Sequence, residues 1–130
     1  MRPDGKAYRP MARWVVEHIG RLYGVQPEYL WAKLPNCAAF RHPTRGKWFA
    51  ALILELPREK LGLKGEGTCD VLNVKCDPVM RGPVVDGRQI FPAYHMKKEH
   101  WVSLILDEKL PTQTAEILLD MSYARIGGKG

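Results

Sequence analysis

The segment richest in side chains capable of chemistry runs from Phe91 to Trp101. Its histidines, His95 and His100, carry protons near neutral pH, which makes acid–base catalysis one hypothesis. The two histidines are five residues apart, whereas a zinc-binding helix places two histidines four apart, so we do not expect a metal site. The chain has neither a Gly-x-Ser-x-Gly nor a Gly-x-x-x-x-Gly-Lys-Ser/Thr motif. We therefore predict a protein without catalytic residues, metal or cofactor.

The same segment contains the side chains that contact nucleic acids. Lys97 and Lys98 supply positive charge for phosphates. Tyr94, His95 and His100 can hydrogen-bond phosphate oxygens or stack on a base. A structural role is the alternative, with the aromatic residues in the core and the histidines hydrogen-bonded.

A second segment, residues 41–48, has a similar composition. Two predicted strands flank a short Pro- and Gly-containing link, which indicates a β-hairpin with a basic tip. Arginines there can form forked contacts to phosphate or guanine, and a lysine adds charge. The candidate contact residues of this hairpin are Arg41, His42, Arg45, Lys47 and Trp48.

The positive charge of the chain is concentrated in its first half. The chain has 130 residues and a net charge of +6, and residues 1–65 alone carry +7. No acidic residue occurs between Glu28 and Glu55, although four basic residues do. A local field of this kind attracts polyanions.

Composition and length predict one soluble domain over residues 1–130, with flexible ends at 1–8 and 127–130. The odd number of cysteines (Cys37, Cys69 and Cys76) and the absence of an apolar core in the first six residues predict reduced thiols in the cytoplasm. No apolar run approaches the ~20 residues that cross a bilayer, so we expect no membrane association. A monomer is the favoured oligomeric state.

Hydrophobic periodicity predicts an α+β domain with an antiparallel sheet and helices on one face. The predicted order is helix, hairpin, strand, short helix, strand, helix. The predicted elements are a helix over 10–23, strands over 37–41, 47–56, 70–76 and 101–106, a short helix over 78–85 and a helix over 112–125.

Two of these helices carry predicted details. Gly24 is expected to end the first helix and Thr112 to cap the last. The expected buried face of the first helix consists of Met11, Val15, Ile19 and Leu22. The expected buried face of the last helix consists of Ile117, Leu118, Met121 and Ala124.

The motifs at these positions resemble the MmcQ/YjbR family over about residues 19–125. The resemblance implies a frataxin-like (CyaY-like) double-wing fold and a DNA-binding protein with no catalytic residues or cofactor. Frataxin binds iron through an acidic ridge, and this sequence has no such cluster, so iron binding is not expected. The resemblance is carried by residues 92–103 (Pro-Ala-Tyr-His-Met-Lys-Lys-Glu-His-Trp-Val-Ser), Phe40-Arg41-His42, Gly46-Lys47-Trp48-Phe49-Ala50, Asn73-Val74-Lys75-Cys76-Asp77-Pro78 and Leu119-Asp120-Met121-Ser122-Tyr123.

The sequence thus predicts a non-enzymatic protein that binds nucleic acid, with duplex DNA as the expected ligand. The two contact surfaces would be residues 41–48 and 94–101. The alternative is a module that binds a small molecule or a protein in a cleft around Tyr94, His95, His100 and Trp101. Exposure of both segments on one positive surface favours DNA, and burial of Lys97 or His95 in a pocket favours the alternative.

Overall fold

A computed structural model describes residues 2–29, 36–94, 96–97 and 99–129. The fold is α+β, as predicted, with an antiparallel five-stranded sheet and three α-helices. The helices are α1 (Pro10–Tyr23), α2 (Pro78–Val84) and α3 (Thr112–Ala124), and a short 3-10 helix spans Arg58–Leu61. The strands are β1 (Cys37–Arg41), β2 (Trp48–Pro57), β3 (Thr68–Lys75), β4 (Ile90–Pro92) and β5 (Trp101–Ile105).

The strand order across the sheet is β1-β2-β3-β5-β4, and every neighbouring pair is antiparallel. Strand β4 was not predicted from the sequence. It has only three residues and contains Pro92, and both features remove the alternating pattern by which a strand is recognised. As an edge strand, β4 tolerates a proline that a central strand would exclude.

Helix α1 begins at Pro10 and stops at Gly24, as the sequence predicted. Gly24 has a φ of 69°, a left-handed conformation that glycine adopts without strain. The predicted apolar face is correct at Val15 and Ile19, but Leu22 is 54% exposed. In that last turn the neighbouring Tyr23 packs instead, with its ring 5.6 Å from that of Phe49.

Helix α3 differs from the prediction at its start and along its buried face. Pro111 is the N-cap, and Thr112 provides no capping hydrogen bond. Ile117 is 53% exposed and Met121 is 37% exposed. The buried positions are Ala115, Leu118, Leu119 and Ser122, so Ala124 is also outside the core face.

The rotation of α3 is explained by Ser122, a polar residue with a buried structural role. Its hydroxyl donates to the Phe49 carbonyl at 2.5 Å and accepts the Lys75 N–H at 2.9 Å. These bonds join α3 to β2 and β3. The predicted buried face did not include Ser122; of its four residues, only Leu118 is buried.

The sheet is buried on both faces. One face packs against α1 and α3 through residues such as Leu52, Leu72 and Leu104. The opposite face, which we call the outer face, is formed around Val71, Ile105 and Phe91 of β4. It is covered by connecting segments that include Leu61, Leu63 and Tyr94. The segment after β4 therefore packs onto the outer face instead of extending into solvent.

Candidate nucleic-acid interface

The strand register brings the two predicted contact segments to the same end of the sheet. Arg41 of β1 is opposite Trp48 of β2, Lys75 of β3 is opposite Trp101 of β5, and Pro92 of β4 is opposite Val102. The turn between β1 and β2 and the connection between β4 and β5 therefore leave the sheet at one end. We call this the basic end, formed by residues 41–48, Lys75 and the described residues of 94–101.

His42 supports the hairpin turn from inside. The residue is buried, and its Nδ1 accepts the N–H groups of Thr44 and Arg45 at 3.2 Å each. Its ring lies 4.4 Å from that of Tyr123 on α3. His42 thus fixes the conformation that presents Arg45, and a direct contact between His42 and nucleic acid stays a prediction.

The three basic side chains of the hairpin are exposed but differ in their partners. The guanidinium of Arg41 lies 2.7 Å from Glu28 and donates to the Gly46 carbonyl at 3.0 Å. Arg45 donates to the Gly127 carbonyl at 3.4 Å, a contact at the limit of hydrogen-bond length. Lys47 lies beside them, without an acidic partner among the residues described.

The described residues of 94–101 include an anchored start and an exposed lysine. Lys97 is exposed, whereas His100 and Tyr94 are half-buried and Trp101 is buried in the sheet. The His100 carbonyl accepts the Cys76 N–H at 2.7 Å, which joins this connection to the end of β3. His95 and Lys98, two predicted contact residues, lie outside the described residues.

A buried polar network holds the start of this connection against the outer face. The Asn73 amide donates to the Tyr94 carbonyl at 3.0 Å, and the Tyr94 N–H donates to the Ser103 hydroxyl at 2.9 Å. Ser103 in turn donates to the Asn73 side-chain oxygen. Since Asn73 and Ser103 are fully buried, the network positions Tyr94 and the residues that follow it.

Further charges at the basic end were not predicted as site residues. Lys75 lies at the end of β3, and Arg125, just after α3, forms an ion pair with Asp77 at 2.9 Å. In the sequence, each of these residues is recognisable only as a cation at the end of a strand or helix. Other surface cations share that position, so the sequence could not single them out. Glu28 is paired to Arg41 and Asp77 is paired to Arg125. With the exposed Glu99 also counted, the described charges at this end still have a positive balance.

A groove lies on the outer face beside the β4–β5 connection, with a volume of about 540 Å³. The groove brings Lys60 and Leu61 of the 3-10 helix next to Phe91, Tyr94 and Met96, with Pro92 and Ala93 between them. Of the cleft proposed as an alternative from the sequence, Tyr94 lines this groove, whereas the described residues His100 and Trp101 do not. Lys60 and Phe91 are lining residues that the sequence analysis did not identify.

The cysteines lack the features of nucleophiles. Burial raises the pKa of the Cys37, Cys69 and Cys76 thiols, which keeps them protonated at neutral pH. In the described part of the chain, no three side chains of the kinds that ligate metals are grouped to hold an ion. The described helices also include none with the length and apolar character needed to span a bilayer.

Comparison with known proteins identifies relatives over most of the chain. The model of the YjbR family matches residues 20–125. The uncharacterized protein YyaQ of Bacillus subtilis strain 168 is 40% identical over 109 residues, which are 84% of this chain and 92% of YyaQ.

Solved structures show the same fold. A crystal structure of a Pseudomonas syringae protein is similar with a TM-score of 0.83 and 32% identity, and the match covers 88% of this chain and 97% of that one. The crystal structure of Deinococcus radiodurans DR2400, from the DUF419 family, has a TM-score of 0.68 at 20% identity, covering 95% and 85% of the two chains, which is evidence for the fold alone. The family match, the identity to YyaQ and the α+β double-wing fold together show that this chain belongs to the MmcQ/YjbR family.

Proposed function

We propose that this protein is a non-catalytic nucleic-acid-binding protein that contacts the phosphates of duplex DNA through the basic end of its sheet. The observation that supports the proposal is the convergence of residues 41–48 and 94–101 at one end, with exposed Arg41, Arg45, Lys47 and Lys97. Lys97 is exposed instead of buried in a pocket, which favours DNA over the small-molecule alternative.

The spacing of the two segments suits a duplex. The β1–β2 turn and the β4–β5 connection leave the sheet three interstrand spacings apart, or roughly 14 Å. The major groove of B-DNA is about 12 Å wide, so the two segments can contact phosphates on opposite sides of one groove.

The ion pair of Arg41 is compatible with this role. Arg41 and Glu28 are each nearly half exposed, with 45% and 47% of their side-chain surface accessible. An exposed pair of this kind contributes about 0–1 kcal/mol, so Arg41 can exchange Glu28 for a phosphate at little cost. Among the described residues, Arg45 and Lys47 have no acidic partner to exchange, so each is expected to contribute more to DNA affinity than Arg41 does.

Fluorescence titration of a labelled duplex tests the proposal. The test variant is Arg45→Gln with Lys47→Gln, and the matched control is Lys64→Gln with Lys109→Gln, which removes the same charge at the opposite end of the sheet. We expect the test variant to bind weakly and the control to bind like wild type. Equal weakening by both pairs would show that only net charge matters and would contradict the assignment of the site.

We also propose that the protein is a monomer located in the cytoplasm. The support for this location is the presence of three cysteines that form no disulfide with one another.

A further inference from the structure

The groove on the outer face has a composition that phosphate binding alone does not explain. Two aromatic residues, Phe91 and Tyr94, line the groove together with Met96 and the basic Lys60. Phe91, Tyr94 and Met96 are each half-buried, so each retains solvent-accessible surface. Aromatic residues next to a lysine are typical of surfaces on which unpaired bases stack while a phosphate is neutralised.

The groove is held in shape by the fold. Phe91 lies in β4 opposite Ser103, and the main chain of Tyr94 is fixed by the buried Asn73 and Ser103 side chains. On the other side of the groove, Lys60 and Leu61 belong to a 3-10 helix that is capped by Gly62. A preformed site of this kind requires little ordering upon binding, which favours affinity.

The groove is also continuous with the basic end. Met96 lines the groove, and the next residue, Lys97, is one of the exposed cations proposed to contact phosphate. A strand whose phosphates lie along the basic end can therefore direct a neighbouring base into the groove. The volume of about 540 Å³ is within the roughly 300–1,000 Å³ range of small-ligand sites.

We infer that this groove accepts an unpaired base, so that single-stranded nucleic acid, or a duplex with an unpaired nucleotide, is bound in addition to regular duplex. The inference rests on the proposed function, since Lys97 provides the phosphate contact next to the groove. A fully paired duplex presents no free base and makes only the contacts of the basic end.

The test compares a labelled oligothymidylate with a duplex of the same length by fluorescence anisotropy. Phe91→Leu and Tyr94→Leu remove aromatic faces but keep apolar volume, and Lys60→Gln removes the charge. Loss of a stacking ring is expected to weaken oligothymidylate binding by roughly 5- to 150-fold. Phe91 and Lys60 lie outside the basic end, so Phe91→Leu and Lys60→Gln are expected to leave duplex binding unchanged, whereas Tyr94→Leu can weaken duplex binding as well because Tyr94 belongs to the basic end.

Matched controls are Tyr8→Leu, a half-buried tyrosine in a separate groove, and Lys64→Gln, a lysine of the segment that follows the 3-10 helix. A second readout needs no variant, because the methyl resonance of Met96 should shift more when oligothymidylate is added than when duplex is added.

The outcomes separate the two proposals. If wild type binds both ligands and the groove variants alter neither, with no larger shift at Met96 for oligothymidylate than for duplex, the groove assignment is wrong and the basic end remains the site. If wild type binds neither ligand at low salt, the proposed function itself is wrong and the groove assignment is lost with it.

Discussion

Replacement of Ser103 by alanine tests whether the buried polar network anchors the β4–β5 connection. The serine hydroxyl accepts the Tyr94 N–H and donates to the Asn73 side chain. Alanine leaves both groups without these partners. Asn73 is fully buried, so water cannot replace the lost bond, whereas Tyr94 is half-buried and its N–H can be partly hydrated.

The expected magnitude follows from these two orphaned groups. A buried acceptor without a partner costs about 1–3 kcal/mol, and the partly hydrated donor adds up to roughly 1 kcal/mol. Ser103→Ala should therefore lower the free energy of unfolding by about 1–4 kcal/mol. In Asn73→Leu with Ser103→Ala, both polar partners are removed, so the cost should be below the sum of the single variants by at least ~0.5 kcal/mol.

Denaturant unfolding and amide hydrogen exchange provide the assay. Ser122→Ala is the matched control, because Ser122 is also buried and its hydroxyl also makes two hydrogen bonds. Both serine variants should lose stability, but only Ser103→Ala should accelerate exchange of the Tyr94 amide beyond the change in global stability. Unchanged Tyr94 exchange in Ser103→Ala, or a stability loss below ~0.5 kcal/mol, would refute the reasoning.

Two further predictions concern stability. The hydrogen bond from Arg2 is the main cause of a lowered pKa of Glu55. The bond therefore stabilises the fold at pH values above the ordinary glutamate pKa of about 4.3. This stabilisation should be lost as the pH falls below that value and through the lowered pKa of the folded protein. Denaturant unfolding between neutral and acidic pH should show a smaller loss in Glu55→Gln than in wild type, and equal losses would be inconsistent with the role of this pair. Gly24→Ala should destabilise the protein by about 1–2 kcal/mol because alanine is strained at a φ of 69°. Gly20 lies within the same helix, and a Cβ added there would lie 3.6 Å from the Gln26 side chain, an ordinary contact. Gly20→Ala should therefore be neutral or stabilising by up to ~1 kcal/mol. Thermal melts that rank the two variants in the opposite order would contradict this reasoning.

The sequence predicted the fold class and most elements because local signals determined them. Pro10 and Gly24 bound α1, and the turn residues of the 41–48 hairpin separate two regular apolar runs. The errors occurred where tertiary contacts overrode periodicity. Ser122 has a polar side chain but a buried position, since its hydroxyl joins three elements, and Leu22 lies where an adjacent tyrosine packs instead.

The candidate site was only partly predictable for a related reason. Both predicted segments could be found from their charge, but their convergence at one end depends on the register of β3 with β5. The aromatic groove requires Lys60 to lie beside Phe91, residues that are far apart in the sequence. His42 had the residue type of a contact residue, and only the structure shows that its ring supports the turn.

The salt dependence of duplex binding tests the central proposal most directly. If the five predicted cations Arg41, Arg45, Lys47, Lys97 and Lys98 engage phosphates, the logarithm of affinity should fall against the logarithm of salt with a slope of about −4 to −5. Arg45→Gln with Lys47→Gln should make that slope less negative by about 2. Absence of binding at low salt, or a slope that the double variant leaves unchanged, would contradict the proposal that the basic end binds DNA.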